Sequence, residues 1–160
     1  MIKAIFFDLY GTLIDIGTDE HDPWVYSLLS QYLSYHSVNI SPEELKEAYF
    51  NGIERHFEQS EEEHPEVDVS EIFHEIMHKY GNTEYDEAVV RDTALLFRLL
   101  TMRHFGLFPS VTDTLTRLNE GYQMAIISDA QWIFAVPEIE MLGLDRFFGL
   151  VSTDTVTYVL

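Results

Sequence analysis

Residues 2–7, Ile-Lys-Ala-Ile-Phe-Phe, make a short, nearly continuous apolar run that ends at Asp8 and the turn signal of Gly11. A run of this length predicts a strand buried on both faces, the usual setting of a parallel sheet. From residue 22 the spacing becomes helical. Asp22-Pro23 caps a first helix carrying Trp24, Leu28, Leu29 and Leu33, and Ser41-Pro42-Glu43-Glu44 sets a capping box and a first-turn proline before a second. A third helix is predicted from about Ser70 to Tyr80, stopping at Gly81-Asn82, and a fourth after Thr83 carries Val89, Ala94, Leu95, Leu96, Leu99 and Leu100. Four helices in succession predict one bundle.

The acid-rich stretch Glu58 to Ser70, with Pro65, reads as a solvated linker between helices. Beyond Phe108-Pro109 the pattern predicts a helix from Ser110 to Asn119, a turn at Gly121 and a second buried strand, Met124 to Ser128. A helix from about Gln131 to Leu142 and a third strand from Phe148 to Ser152 follow. The order β, helical insert, α, β, α, β predicts an α/β fold. Its expected form is a Rossmann-like parallel sheet core, residues 1–16 and 100–160, with an α-helical cap subdomain inserted over residues 17–99.

Composition narrows the partners. With 46% hydrophobic and 14% aromatic residues in 160, the chain can bury a substantial core. Nine basic against 28 acidic side chains give a formal charge of −19, which repels a phosphate backbone and an anionic lipid surface, so neither nucleic acid nor membrane is expected as a partner. The absence of cysteine removes disulfides, thiolate zinc sites and thiol catalysis. No apolar run approaches the roughly 18 residues of a membrane span, and the start is too short for a signal peptide, so a cytoplasmic address is expected.

In an open parallel sheet, ligands sit at the carboxyl ends of the strands, and those ends present Asp8 after the first strand and Ser128-Asp129 after the second. A carboxylate there can attack carbon or phosphorus covalently, while the hydroxyls of Thr12 and Ser128 can hold an anionic oxygen. Asp8-Leu-Tyr-Gly-Thr12 resembles the first motif of the haloacid dehalogenase superfamily, and Ile126-Ile-Ser128-Asp129 resembles its second. The intervening helices sit where that superfamily inserts its type 1 cap. The resemblance implies a hydrolase in which Asp8 is the nucleophile, the Tyr10 carbonyl helps Asp8 hold magnesium, and Ser128, with Asp129 beside it, binds the transferred group.

Phosphatases of that superfamily carry a second aspartate two residues after the nucleophile, where this chain has Tyr10. A phenol near pKa 10 is poorly matched to proton exchange at neutral pH, whereas a departing halide needs no proton. The superfamily's dehalogenases share the tyrosine, and they also use a cap arginine to bind the anionic end of the substrate. Residues 22–54 contain no arginine, which leaves Arg55, Arg91, Arg98 and Arg103 as candidates, Arg55 first. The expected substrate is a small molecule, either a phosphate ester or a 2-haloacid.

The resemblance also implies a lysine and a magnesium-binding acid pair after the second motif. The only lysines are Lys3, Lys46 and Lys79, and the acids after Ser128 are Asp129, Glu138, Glu140, Asp145 and Asp154, with no such pair among them. Three expectations follow: a sequence cut short at Leu160, impaired activity of the chain by itself, and a first strand left at a sheet edge with Ile5 and Phe6 uncovered, where a second copy could pair as a homodimer. Two other readings stay open. His74-Glu75-Ile-Met-His78 matches the zinc-protease pattern H-E-x-x-H, with Glu84 as a possible third ligand. The chain could also be a non-catalytic binding protein that keeps the fold alone.

Overall fold

The computed structural model describes residues 2–60, 67–81, 86–153 and 157–158. In chain order the elements are β1 (Ala4–Phe7), β2 (Ile14–Thr18), α1 (Pro23–Tyr35), α2 (Pro42–Gln59), α3 (Val69–Tyr80), α4 (Glu87–Thr101), β3 (Met102–Leu107), α5 (Val111–Leu118), β4 (Gln123–Ser128), α6 (Trp132–Met141), a single 3-10 turn (Asp145–Phe147), β5 (Val151–Thr153) and β6 (Thr157–Tyr158). They divide into two compact units, residues 1–18 with 102–160, and residues 19–101. None of the described helices is long and apolar enough to cross a membrane.

The first unit is an α/β layer. Its sheet runs β1-β4-β5-β6, with β1 and β5 both parallel to β4 and β6 antiparallel to β5. Phe7 lies opposite Ile126, and Ser128 opposite Thr153. Met124, Ile126 and Val151 pack with Leu115 of α5 and Ala135 and Ile139 of α6, together with Leu144 and Phe148. The other face is open: Phe6 is 62% exposed and Ile127 52%. The expectation of strands buried on both faces is therefore corrected, because α5 and α6 cover the face that carries Ile126 and leave the face that carries Phe6 in solvent. Among the described residues β1 is an edge strand, with Phe6 uncovered and Ile5 half-buried.

A two-stranded antiparallel sheet, β2 with β3, was not legible in the apolar pattern. Its strands are short, lie far apart in sequence and pair Gly17 with His104, whose ring lies against the Gly17 backbone where a side chain would stand. His104 bonds Asp15 across the pair at 3.0 Å.

The second unit is the four-helix bundle. Asp22 caps α1 by accepting from the Trp24 N–H, and the capping box of α2 is complete: Ser41 Oγ accepts from the Glu44 N–H, and the Glu44 carboxylate accepts from the Ser41 N–H. Asp68 caps α3, and Gly81 ends it. At the centre Tyr49, Phe73 and Phe97 stack and tilt with centroids 4.6–5.7 Å apart, and Tyr26 joins them. The Tyr26 hydroxyl donates to the Glu20 carbonyl and the Tyr49 hydroxyl to the Glu20 carboxylate. Burial first, and then the Glu20 charge, pushes the ionisation of both phenols upward, so they remain neutral donors.

Three expectations shift here. The buried stripe of α4 is Val90, Thr93, Ala94, Phe97 and Thr101, while Leu99 is 65% exposed and Leu95, Leu96 and Leu100 flank the core. Leucine density was a poorer guide than the 3.6-residue period. Phe148 precedes β5 instead of opening it, and Glu58 belongs to α2; residues 61–66 of the predicted linker, and Asn82, Thr83 and Glu84, lie outside the described residues. Phe73→Ala is expected to destabilise the bundle by about 3–5 kcal/mol in urea unfolding, and Leu99→Ala by less than about 0.5 kcal/mol. Comparable losses would contradict the assignment of the buried stripe.

Candidate active site

Exposure alternates through the turn that follows β1. Leu9, Leu13 and Ile14 are buried in the α/β core, whereas Asp8, Gly11 and Thr12 are exposed and Tyr10 is half-buried. The apolar residues anchor the loop and leave the polar ones at the carboxyl end of the strand. The Leu9 carbonyl accepts from the Leu13 and Ile14 N–H groups at 2.8 and 3.0 Å, and the Gly11 N–H donates to the Ile14 carbonyl at 2.9 Å. Gly11 has φ +76°, the left-handed region in which a Cβ is strained, although nothing lies close to where that Cβ would stand.

Within this loop the Thr12 hydroxyl donates to Asp8 Oδ2 at 2.8 Å. One carboxylate oxygen is thereby oriented and partly compensated, on a side chain that is exposed. Ser128 ends β4 on the strand beside β1 and is buried, its Oγ accepting from the Ala130 N–H at 3.4 Å. Asp129 follows and is exposed. The turn and the strand end therefore bring Asp8, Tyr10, Thr12, Ser128 and Asp129 into one unit, at neighbouring strand ends.

Tyr10 has a partner that the motifs did not indicate. Its hydroxyl donates to Glu138 Oε2 at 2.6 Å, and Glu138, on α6, is only 4% exposed. The signal was present in the sequence: Glu138 occupies the same stripe as the buried Phe134, Ala135 and Ile139, where an acid must find a donor.

Arg55 belongs to the helical unit, on α2, where its guanidinium donates to Glu75. Glu75 also meets His56 at 3.2 Å, and His74 faces Glu87 at 3.8 Å. His74 and Glu75 of the H-E-x-x-H pattern thus have surface partners, and among the described residues no group of three or more His, Asp or Glu is placed to hold a metal. Magnesium meets the same limit. Asp8 and the Tyr10 carbonyl offer two oxygen donors against a near-octahedral shell of six, and the Thr12 hydroxyl is already directed to Asp8, so this donor set by itself does not fit the ion.

A family model described as haloacid dehalogenase-like hydrolase matches residues 2–159. No curated protein matches the sequence. Among solved structures, a 2-haloacid dehalogenase of Pseudomonas syringae pv. tomato is 20% identical, covers 96% of this chain and 64% of its own, and superposes with a TM-score of 0.51. The L-2-haloacid dehalogenase of Xanthobacter autotrophicus with chloropropionic acid covalently bound is 20% identical, over 96% of this chain and 57% of its own, at a TM-score of 0.45. A Thermotoga maritima protein assigned as a β-phosphoglucomutase is 12% identical, over 94% and 60%, at 0.46. The chain spans 57–64% of the length of these three structures, and the likeness to the Pseudomonas enzyme, at 20% identity, concerns the fold alone.

Gly11→Ala is expected to lower stability by about 1–2 kcal/mol, the cost of a left-handed backbone without a steric clash, read by thermal unfolding. A loss above about 4 kcal/mol would mean that the turn has a close neighbour at this point.

Proposed function

Because the chain belongs to the haloacid dehalogenase-like hydrolases, we propose that Asp8 is the nucleophile of a hydrolase that acts on a small anionic molecule, a 2-haloacid or a small phosphate ester, through a covalent aspartyl intermediate. The observation that carries this reading is the exposed Asp8 carboxylate at a parallel strand end, with one oxygen held by Thr12. The free oxygen attacks the substrate; the bond to the leaving group breaks and its electron pair departs with that group. With a 2-haloacid, water then attacks the ester carbonyl of Asp8, returning the carboxylate and releasing the 2-hydroxyacid and one proton. Thr12 orients the nucleophile, and Ser128 and Asp129 line the site beside it.

Of the two substrate classes the 2-haloacid agrees better with the position two residues after Asp8. The Tyr10 hydroxyl, a phenol, donates a hydrogen bond to Glu138, and a halide leaves without a proton, whereas an alkoxide leaving from phosphorus needs an acid. Arg55, the cap arginine put forward for the substrate's anionic end, pairs with Glu75. Magnesium accompanies many hydrolases of this fold, but no step here is routed through it.

The test uses enzyme in excess over 2-chloropropionate or over a phosphate monoester, so that a single slow turnover is visible. The expected result is release of chloride by the unaltered chain and at least about a 10³-fold loss in Asp8→Asn. Retention of the rate in Asp8→Asn would remove Asp8 from the chemistry, and release of phosphate alone would move the substrate to the ester class.

The free edge of β1, with Ile2 72% and Phe6 62% exposed, is where this reading puts a second copy of the chain. Sedimentation should give a dimer that Phe6→Lys converts to a monomer; a monomeric parent chain would remove the pairing.

A further inference from the structure

Among the described residues the α/β unit buries one carboxylate, and the nucleophilic step does not use it. Glu138 is the sixth position after the start of α6, 4% exposed, in a stripe otherwise formed by Phe134, Ala135 and Ile139. An acid in such a stripe is costly unless a donor meets it, and the Tyr10 hydroxyl does so at 2.6 Å across 128 residues of sequence. Tyr10 lies between Asp8 and Gly11 in the turn after β1. Its phenolic proton is directed to Glu138 in the core.

From this geometry we propose that Glu138 is a positioning residue. By accepting the hydrogen bond of the Tyr10 hydroxyl it fixes the ring in the turn that carries Asp8. The inference rests on the reading of Asp8 as nucleophile and adds to it the residue that holds Tyr10 in place. Glu138 itself touches neither substrate nor the reacting atoms. It acts through Tyr10, and its effect depends on an acceptor being present at that point more than on the negative charge.

Three variants separate this role from a purely structural one. Glu138→Met keeps the volume and removes the acceptor, Glu138→Gln keeps an acceptor, and Tyr10→Phe removes the donor. For single-turnover chloride release from 2-chloropropionate, Glu138→Met should lower the maximal rate about tenfold with less than about a twofold change in the concentration giving half that rate. Glu138→Gln should restore it to within about threefold, and Glu138→Met should add nothing further in a Tyr10→Phe background. Losses that multiply in the double variant, or a Glu138→Gln rate as low as that of Glu138→Met, would overturn the proposal.

Should the unaltered chain turn over neither substrate class, the nucleophile reading fails by itself, and the proposed contact is read without activity. In protein labelled with 13C at the tyrosine Cζ, the resonance lost in Tyr10→Phe should move in Glu138→Met and stay near its place in Glu138→Gln. A resonance indifferent to Glu138→Met would overturn the positioning role whatever the chain hydrolyses, and an unfolded Glu138→Met would be replaced in both assays by Glu138→Leu.

Discussion

The arrangement of the site depends on the burial of three side chains, Leu9, Leu13 and Ile14, directly after the first strand. They tie the turn into the same apolar cluster that holds Met124, Ile126, Ala135 and Ile139. Because they point inward, Asp8 and Thr12 are held outward, and the Leu9 carbonyl closes the turn by accepting from the Thr12, Leu13 and Ile14 N–H groups. Packing of this density does not deform cheaply, so the geometry of the carboxylate is set by the core and not by the loop's own preferences. Gly11 supplies the one backbone conformation in that turn that other residues enter only under strain.

A second layer of order comes from polar pairing at the edge of the same core. Two acids receive hydroxyl donors from the turn, Asp8 from Thr12 and Glu138 from Tyr10. The two bonds differ in consequence. Asp8 is exposed, so its bond to Thr12 orients a group that stays solvated, whereas Glu138 is buried and its bond to Tyr10 meets a desolvation cost of several kcal/mol. A buried acid satisfied by a residue two positions from Asp8 ties α6 to the turn after β1.

What could be read from the sequence divides by the range of the interaction responsible. Helix starts at Asp22 and Ser41 were legible because a cap is a contact across two or three residues, and both are made as expected. The parallel pairing of the first and second core strands was also legible, since continuous apolar runs with polar ends say where a strand stops. The open face carrying Phe6 and Ile127 was not legible from those runs, because an apolar side chain does not declare whether anything covers it. Nor was the β2–β3 pair, whose partners are joined by no local turn, or the buried face of α4, where exposed Leu99 outweighed buried Thr93 and Thr101 in the apolar count. Asp8, Thr12 and Ser128 stood out as hydroxyl and carboxyl groups at strand ends. Glu138 did not, because its meaning lies in a contact with a residue 128 positions away.

The central claim is that Asp8 forms a covalent bond to the substrate, and isotope incorporation tests it most directly. With the protein in excess over a 2-haloacid in water enriched in oxygen-18, the ester is cleaved at the Asp8 carbonyl, so the peptide carrying Asp8 should gain one heavy oxygen while the first hydroxyacid released carries ordinary oxygen. Heavy oxygen found only in that first product, with the Asp8 peptide unlabelled, would show that water attacks the substrate directly and would contradict the account.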